Sequence, residues 1–503
     1  MNSKLFLSLL FYTTAISADA FEPLKHLAGI TPYFESPPTT PYDPAPPQGC
    51  NITRATYLVR HAAIVANDYD YETYIGPFVK KLANTTVDWS KAGNLSFLAK
   101  WKSPIKEDDI EQLTQVGVQE ATNLGSDVKN RYHGFRNPPK VWSSTAERTT
   151  KSASSFIKGL SAGTSPQLVE VNEGKEEGAD SLTPYSSCPA YSSSRGSEQS
   201  GIYQKIYTAP IIARFNAAAP AFNFTVDDII GMQELCGYES VINGNVSTPG
   251  YAINADSPFC SLDLFTADEW LGFEYSNDLM YWHGIGYGNP ISGTIGLPWA
   301  KAAANLLLQS NKPDQDLYVS FTHRELPPTV LVALGLFNNS AYTASSDVNT
   351  TMPSNEINPN REWISSRILP FLTNIAMERM ECNSFNYTEG DYYRVLVNQS
   401  PAPLPGCADG PGLSCSGKGF TSYMQQRQNM FGGFSQKCGV KYSNSTDVLG
   451  IYGTQVDAVG NGTSTSSGAA ASQTSAKGSA AGRTSTSVSM AAGLCLTMAY
   501  MLW

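Results

Sequence analysis

The chain has 503 residues, a formal net charge of -10 at pH 7 and a sequence pI near 5.1. This length is ample for a large buried core, and the acidic balance argues against nucleic acid as a partner. The composition therefore favours a soluble acidic enzyme or a surface protein.

The first residues, 1–20, have the three parts of a secretory signal peptide. Lys4 supplies the charged region, residues 5–16 are apolar, and Ala18-Asp19-Ala20 fits a cleavage site. The alternative, a buried N-terminal helix, does not explain the order of these parts. We expect a folded unit over residues 21–450.

Three apolar runs predict strands that end close to a cation or an imidazole. The runs and the residues that follow them are 55–59 with Arg60-His61, 140–144 with Arg148, and 316–321 with His323-Arg324. Each group alone is more simply explained as a surface charge or a structural histidine. Together they favour one anion site, because ligands of α/β folds bind at the carboxyl ends of strands.

Helical patterns lie between these runs. Residues 109–131 have helical periodicity with a cap near Thr114, and residues 298–309 predict another helix. A helix over 148–160 is expected to start near Ser143 or Ser144, which would direct backbone N–H groups toward a bound anion. Residues 165–290 contain helical stretches and loops, with no clear strand that ends in a catalytic residue type.

The C-terminal part changes composition after about residue 452. Residues 451–487 are rich in Ser, Thr, Ala and Gly and predict a solvated stalk, whereas 488–503 form an apolar tail without charges. This order is typical of a glycosylphosphatidylinositol (GPI) anchor signal, with Gly478 as a candidate attachment residue. The alternatives are a weak tail anchor and a disordered end.

These motifs resemble the histidine acid phosphatases, especially the fungal phytase-like branch of the histidine phosphatase (phosphoglycerate-mutase-like) superfamily. The similarity runs from about His26 to about Cys438 and includes 26–29, 113–117, 287–290, 333–337 and 394–398. It implies an α/β histidine phosphatase fold, with a mostly parallel sheet flanked by helices. Residues 165–290 then correspond to an inserted, mainly helical subdomain.

Two motifs depart from the family pattern. The family has Arg-His-Gly-x-Arg-x-Pro, whereas this chain has Arg60-His61 followed by 62–66 as Ala-Ala-Ile-Val-Ala. The family's His-Asp is replaced by His323-Arg324-Glu325. The carboxylate one residue later matches the His-Ala-Glu of the related multiple inositol polyphosphate phosphatases.

The resemblance implies a role for each candidate residue. His61 is the nucleophile that forms a phosphohistidine, His323 donates a hydrogen bond to the phosphate, and Glu325 is the proton donor. Arg60 and Arg148 bind the phosphate oxygens, so neither a metal nor a cofactor is required. Arg324 either replaces the arginine missing at Ile64 or points to solvent. For Glu325 the alternative is a role as an ion-pair partner.

Nine cysteines and many glycosylation sequons fit a secreted protein. Cys495 lies in the tail, and the remaining eight predict a disulfide framework whose pairing the sequence alone leaves open. The resemblance implies the pairs Cys50–Cys382, Cys188–Cys438, Cys236–Cys260 and Cys407–Cys415. The sequon asparagines are Asn51, Asn84, Asn94, Asn223, Asn245, Asn338, Asn349, Asn386, Asn444 and Asn461.

The sequence therefore predicts a secreted, GPI-anchored acid phosphatase that acts on small phosphomonoesters. The alternatives are a phosphatase-like surface protein with weak or no turnover, a phytase, and a mutase, which the secretory features disfavour. Residues 67–72 contain three carboxylates and two tyrosines close to His61. This acidic segment predicts a preference for simple phosphomonoesters over phytate, a polyanion.

Overall fold

The computed structural model describes residues 21–453, except 36–42, 162, 164, 193, 248–249, 255–256, 311–313 and 340–347. The described residues all belong to one compact unit. The predicted signal peptide, the apolar tail, Gly478, Asn461 and nearly all of the stalk lie outside the described residues.

Strands and helices are interspersed along the chain. The strands are β1 (Cys50–Arg60), β2 (Lys140–Ser144), β3 (Gln167–Val171), β4 (Asn245–Val246), β5 (Ile253–Asn254), β6 (Leu317–Thr322), β7 (Asn374–Cys382), β8 (Gly390–Val397), β9 (Ser400–Pro401) and β10 (Cys415–Ser416). The helices are α1 (Asp68–Asp70), α2 (Gly76–Ala83), α3 (Gln115–Arg131), α4 (Glu147–Leu160), α5 (Ser197–Ala218), α6 (Val226–Asn243), α7 (Ala267–Ile285), α8 (Ser292–Leu308), α9 (Leu326–Leu334), α10 (Val348–Thr351), α11 (Ser365–Ile368), α12 (Gly417–Phe431) and α13 (Phe434–Cys438). A π-helical turn, Tyr71–Ile75, joins α1 to α2.

The main sheet has the strand order β10-β8-β7-β1-β6-β2-β3, with β9 paired to β8. Strands β1, β6, β2 and β3 are parallel, and β7 and β8 continue the sheet in antiparallel pairing. β1 and β6 are buried along most of their length, as expected for parallel strands with helices on both faces. The expected fold class, an α/β fold with flanking helices, is confirmed.

The strand register brings the ends of β1 and β6 to the same edge. Val59 pairs with Phe321 and Arg60 with Thr322, so His61 and His323 leave the sheet side by side. On the other side of β6, Ser143 of β2 pairs with Phe321. The three predicted strand ends therefore meet at one edge of the sheet.

Two helix starts differ from the sequence prediction. Ser143 and Ser144 belong to β2, and α4 begins at Glu147 after an N-cap at Ala146. The predicted start near Ser143 or Ser144 is wrong because these two side chains are buried in the strand. α8 begins at Ser292, before the predicted start at Pro298. The cap predicted near Thr114 is present, because α3 begins after Thr114 and the Thr114 hydroxyl accepts a hydrogen bond from the Gly117 N–H.

Helices α3 and α4 approach each other very closely. A Cβ atom at Gly159 would lie 1.9 Å from the Thr122 carbonyl oxygen, and one at Gly125 would lie 2.1 Å from that of Phe156. Only glycine leaves room for the two backbones at these positions. The contact fixes α4, whose first turn carries Arg148.

Residues 165–290 include the long helices α5, α6 and α7. The sequence shows no clear strand in this region that ends in a catalytic residue type, but the region does contribute a strand to the main sheet. Its first element, β3, pairs in parallel with β2 and belongs to the main sheet. Helix α6 is buried over 228–241 and packs close to the π-helical turn, where Gly231 lies next to the Tyr74 carbonyl.

The described residues contain four disulfide bridges, in the four pairs that the family resemblance implied: Cys50–Cys382, Cys188–Cys438, Cys236–Cys260 and Cys407–Cys415. Of the sequon asparagines, Asn51, Asn84, Asn94, Asn223, Asn245, Asn338, Asn386 and Asn444 are exposed. The side chain of Asn349 lies outside the described part of the chain. Within that part, no helix has both the length and the apolar character needed to cross a membrane.

Candidate active site

His61 follows β1 directly and is almost completely buried, with 3% of its surface exposed. Its Nδ1 donates a hydrogen bond of 2.9 Å to the Ala62 carbonyl, so the proton is on Nδ1 and Nε2 carries the free lone pair. Burial, Arg60, Arg148 and His323 together hold the pKa of His61 well below its usual range. The side chain is therefore a neutral imidazole with its nucleophilic nitrogen available.

Arg60 is the last residue of β1 and is held firmly by the backbone around it. Its Nη1 donates to the carbonyl oxygens of Gly29 and Leu369, and its guanidinium lies 4.7 Å from the centre of the Phe371 ring. Burial and the nearby Arg324 lower the pKa of Arg60 to about 10. At any acidic or neutral pH, Arg60 is a fixed cation beside His61.

Arg148 lies in the first turn of α4 and forms an ion pair with Glu111. Glu111 has a positive φ of 66°, and its Oε1 accepts a hydrogen bond of 2.8 Å from the Asn67 amide. The carboxylate thus connects the candidate phosphate-binding arginine to the segment that follows His61.

His323 follows β6 and contacts a carboxylate from the end of β3. Its Nε2 lies 3.2 Å from Oε1 of Glu173, which also accepts the Ala146 N–H at the start of α4. Burial opposes ionisation of Glu173, but the hydrogen bond from His323 lowers the pKa of Glu173 to about 2. The His61 and His323 rings lie 6.1 Å apart, centre to centre.

Arg324 and Glu325 directly precede α9, with Glu325 as its N-cap, and they contact each other, with Arg324 Nε 3.5 Å from Glu325 Oε1. Arg324 also lies against Tyr281, with its guanidinium 5.7 Å from the centre of the ring. Although burial opposes it, the charges of Arg324 and His323 lower the pKa of Glu325. Glu325 is therefore held ionised until the pH is low.

The candidate residues surround two cavities. The inner cavity, of about 30 Å³, is lined by Arg60, His61, Ile64, Asn67, Arg148, Tyr238, His323, Arg324, Glu325 and Phe371. The outer cavity, of about 600 Å³, shares Asn67, Arg148, His323, Arg324 and Glu325 with it. All six residues that the sequence analysis selected thus lie around the inner cavity. Arg324 and Ile64 are both in its wall.

Three nitrogen atoms at this site are buried without a hydrogen-bond partner: Nε of Arg60, Nε of Arg148 and Nδ1 of His323. Arg60 is the last residue of β1, and Arg148 and His323 come after β2 and β6. Buried donors without partners are costly, so a site with several of them is suited to an anion. With Nε2 of His323 donating to Glu173, its Nδ1 is the atom left for such a ligand, and it donates when both ring nitrogens are protonated.

Sequence reasoning missed several residues of the site, chiefly Glu111, Glu173, Tyr238 and Phe371. For Glu173 a signal existed, because it follows the alternating run 167–171 just as the other candidates follow their runs. Glu111 lies in a loop before α3 and is positioned by its left-handed backbone conformation, for which the sequence has no periodic signal.

The fold and the site define a histidine phosphatase. The family model for the histidine phosphatase superfamily (branch 2) matches residues 51–398, and the chain belongs to this family. This membership confirms the resemblance found in the sequence.

Curated relatives align over most of their own length. Acid phosphatase PHO1 of Komagataella pastoris is 28% identical over 444 residues, which cover 84% of this chain and 87% of the relative. The thiamine-repressible acid phosphatase pho4 of Schizosaccharomyces pombe is 30% identical, with 78% and 84% covered. Phytase A of Aspergillus terreus is 25% identical, with 77% and 85% covered.

Solved structures support the same fold. The phytase from D. castellii has a TM-score of 0.73 and 22% identity, covering 86% of this chain and 90% of that chain. The multiple inositol polyphosphate phosphatase of Bifidobacterium longum has a TM-score of 0.53 and 14% identity, covering 76% and 94%.

Proposed function

We propose that this protein is a secreted, GPI-anchored acid phosphatase that hydrolyses phosphomonoesters through a phosphohistidine at His61. An acid phosphatase activity agrees with the relatives from Komagataella and Schizosaccharomyces. One observation carries the proposal. A neutral imidazole with a free Nε2 lies in the wall of a cavity surrounded by three guanidinium groups and by buried nitrogens without partners.

The first chemical step is attack by Nε2 of His61 on the phosphorus atom. The P–N bond forms as the bond from phosphorus to the ester oxygen breaks, and the leaving oxygen receives a proton from Glu325. Arg60, Arg148 and Arg324 bind the three non-bridging oxygens, where charge is concentrated, and His323, with both ring nitrogens protonated, donates through Nδ1. The imidazole becomes cationic in this step, and the Ala62 carbonyl stabilises it by accepting the hydrogen bond from Nδ1–H.

The second step returns the enzyme to its starting state. Water attacks phosphorus as the carboxylate of Glu325 accepts its proton, in the reverse of its first role. The electrons of the P–N bond return to Nε2, so His61 leaves as a neutral imidazole and inorganic phosphate is released. Arg324, in the wall beside Ile64, supplies the cation that the first motif lacks.

The cellular location follows from sequence features at the two ends. The signal peptide, the exposed sequons and the apolar tail after a Ser/Thr-rich stalk all support export and lipid anchoring. Phosphatidylinositol-specific phospholipase should release active protein from intact cells. The peptide 488–503 should be absent from the mature protein, and its detection would refute the anchor.

A phytase is the second candidate, because phytases A of Aspergillus are among the relatives. A surface protein without turnover is the third, because two motifs are altered. Turnover of an aryl phosphate by the wild type, but not by His61→Ala, supports the phosphatase. His133→Ala is the matched control, because His133 is exposed and lies outside both cavities.

A further inference from the structure

The outer cavity contains more carboxyl groups than basic groups. Three of its carboxyl groups have a basic neighbour, in the pairs Glu111–Arg148, Glu173–His323 and Glu325–Arg324. The other three are Asp68, Asp70 and Glu234, which belong to α1 and α6. Asp68 is exposed to solvent, but Asp70 and Glu234 are buried.

Glu234 is the least satisfied of these carboxyl groups. It is 6% exposed, and its Oε2 is buried without a hydrogen-bond partner. Asp70 is 9% exposed and accepts a hydrogen bond of 2.6 Å from the Tyr238 hydroxyl. Burial raises the pKa of both carboxyl groups. A buried carboxyl group without a neighbouring cation is costly to ionise. The part of the cavity wall formed by Asp70 and Glu234 is therefore suited to bind a cationic ligand.

The nearby guanidinium of Arg324 does not balance this pair. Arg324 contacts Glu325 and Tyr281, and one positive charge is then shared among Glu325, Asp70 and Glu234. Arg324 also lines the inner cavity, where the phosphate of a substrate would engage it. A bound phosphate would leave the two carboxyl groups with even less compensation.

Tyrosines complete the wall around the pair. Tyr69, Tyr74 and Tyr281 all line the outer cavity, and the Tyr69 and Tyr74 rings meet edge to face at 6.1 Å. Aromatic faces attract ammonium groups, and they do so more strongly when carboxylates are close by. Carboxyl groups and tyrosines together form a surface for an organic cation.

We infer that Asp70 and Glu234 form a subsite for a cationic nitrogen on the alcohol part of the substrate. The inference rests on the proposed phosphatase function. The phosphate occupies the inner cavity, and the two cavities share five lining residues, so the alcohol extends into the outer one. The preferred substrates are then phosphomonoesters of amino alcohols and quaternary ammonium alcohols.

The test compares two esters of the same shape. Phosphocholine carries a trimethylammonium group, and 3,3-dimethylbutyl phosphate has a neutral tert-butyl group in the same place. We expect kcat/KM for the wild type to be about tenfold higher for phosphocholine, a difference typical of one charged contact. Equal values for the two esters would overturn the inference and leave the phosphatase function intact. Turnover of neither ester would overturn both.

Single substitutions test which residues cause the preference for phosphocholine. Glu234→Gln and, separately, Asp70→Asn should each reduce the preference for phosphocholine over the neutral ester to about two- or threefold. In both variants kcat/KM for the neutral ester should stay within about twofold of the wild-type value. This second value also shows that the variants fold. Glu239→Gln is the matched control. Glu239 lies on the same helix but accepts hydrogen bonds from Trp101 and Ser257 and does not line the cavity. Its variant should keep the full preference. A preference that survives in both Glu234→Gln and Asp70→Asn contradicts the subsite.

Discussion

The pKa of His61 is lower than that of an ordinary histidine. A histidine with an unperturbed pKa near 6.5 loses its nucleophilic lone pair as the pH falls below that value. In His61, burial and the neighbouring cations lower the pKa, so the neutral form persists in acid. The nucleophile is therefore compatible with catalysis at low pH.

The pH profile of kcat/KM tests this property. With an aryl phosphate whose own ionisation is measured separately, the rate should not fall as the pH decreases from about 6.5 to about 4.5. The His133→Ala variant should give the same profile. A loss of activity with a midpoint near the ordinary histidine pKa would show that His61 is protonated and would contradict its assigned state.

The importance of Glu325 as a proton donor depends on the leaving group of the substrate. Glu325→Gln should lower kcat/KM for alkyl phosphates by about 10²- to 10⁴-fold, because an alkoxide needs a proton to leave. Aryl phosphates with acidic phenols should lose less than about tenfold. Because Arg324 and His323 lower the pKa of Glu325, wild-type activity on alkyl phosphates should increase toward acid pH. An equal loss for both ester classes would remove Glu325 from the acid role.

At the scale of elements, the close contact between α3 and α4 positions Arg148. Gly159→Ala should lower the free energy of unfolding by about 1–3 kcal/mol, because the added methyl group meets the Thr122 carbonyl and forces the helices apart. Denaturant unfolding measures the change. Gly134→Ala is the matched control, since no atom lies within 4 Å of a Cβ there. Equal stability of both variants would mean that the contact adapts without strain.

The elements that the sequence predicted best are those with strong local signals. β1, β2 and β6 are apolar runs, and Arg60, Arg148 and His323 could be assigned to one site because parallel strands end at one edge. The capping position of Thr114 was visible for the same local reason.

The parts that the sequence did not predict depend on tertiary contacts. The short strand β3 alternates weakly and lies in a region of helices, so Glu173 was missed. Helix α6 is buried on nearly all sides, and its pattern does not indicate that Glu234 would face a cavity rather than the core. At the start of α4, the Ala146 N–H donates to the Glu173 carboxylate, a tertiary contact that has no signal in the local sequence.

In the molecule as a whole, the distribution of charge favours simple phosphomonoesters over polyanionic substrates. The chain carries a net charge of -10, and the outer cavity has more carboxyl groups than cations. A polyanion such as phytate would meet the exposed carboxyl group of Asp68 beyond the inner cavity, and Asp70 and Glu234 would offer it no positive charge, which opposes its binding. We expect kcat/KM for an aryl phosphate to exceed that for phytate by about tenfold or more at acidic pH and moderate salt. Phytate hydrolysis at the same efficiency would require a polycation surface elsewhere.

The central claim is that phosphate is transferred to Nε2 of His61, and trapping this intermediate tests it most directly. Enzyme mixed briefly with labelled substrate and stopped in alkaline denaturant should contain one labelled peptide, with the phosphoryl group on His61. His61→Ala should contain none and should not turn over, although it folds, whereas His133→Ala should be labelled like the wild type. A labelled residue other than His61, or turnover by His61→Ala at the wild-type rate, would contradict the account.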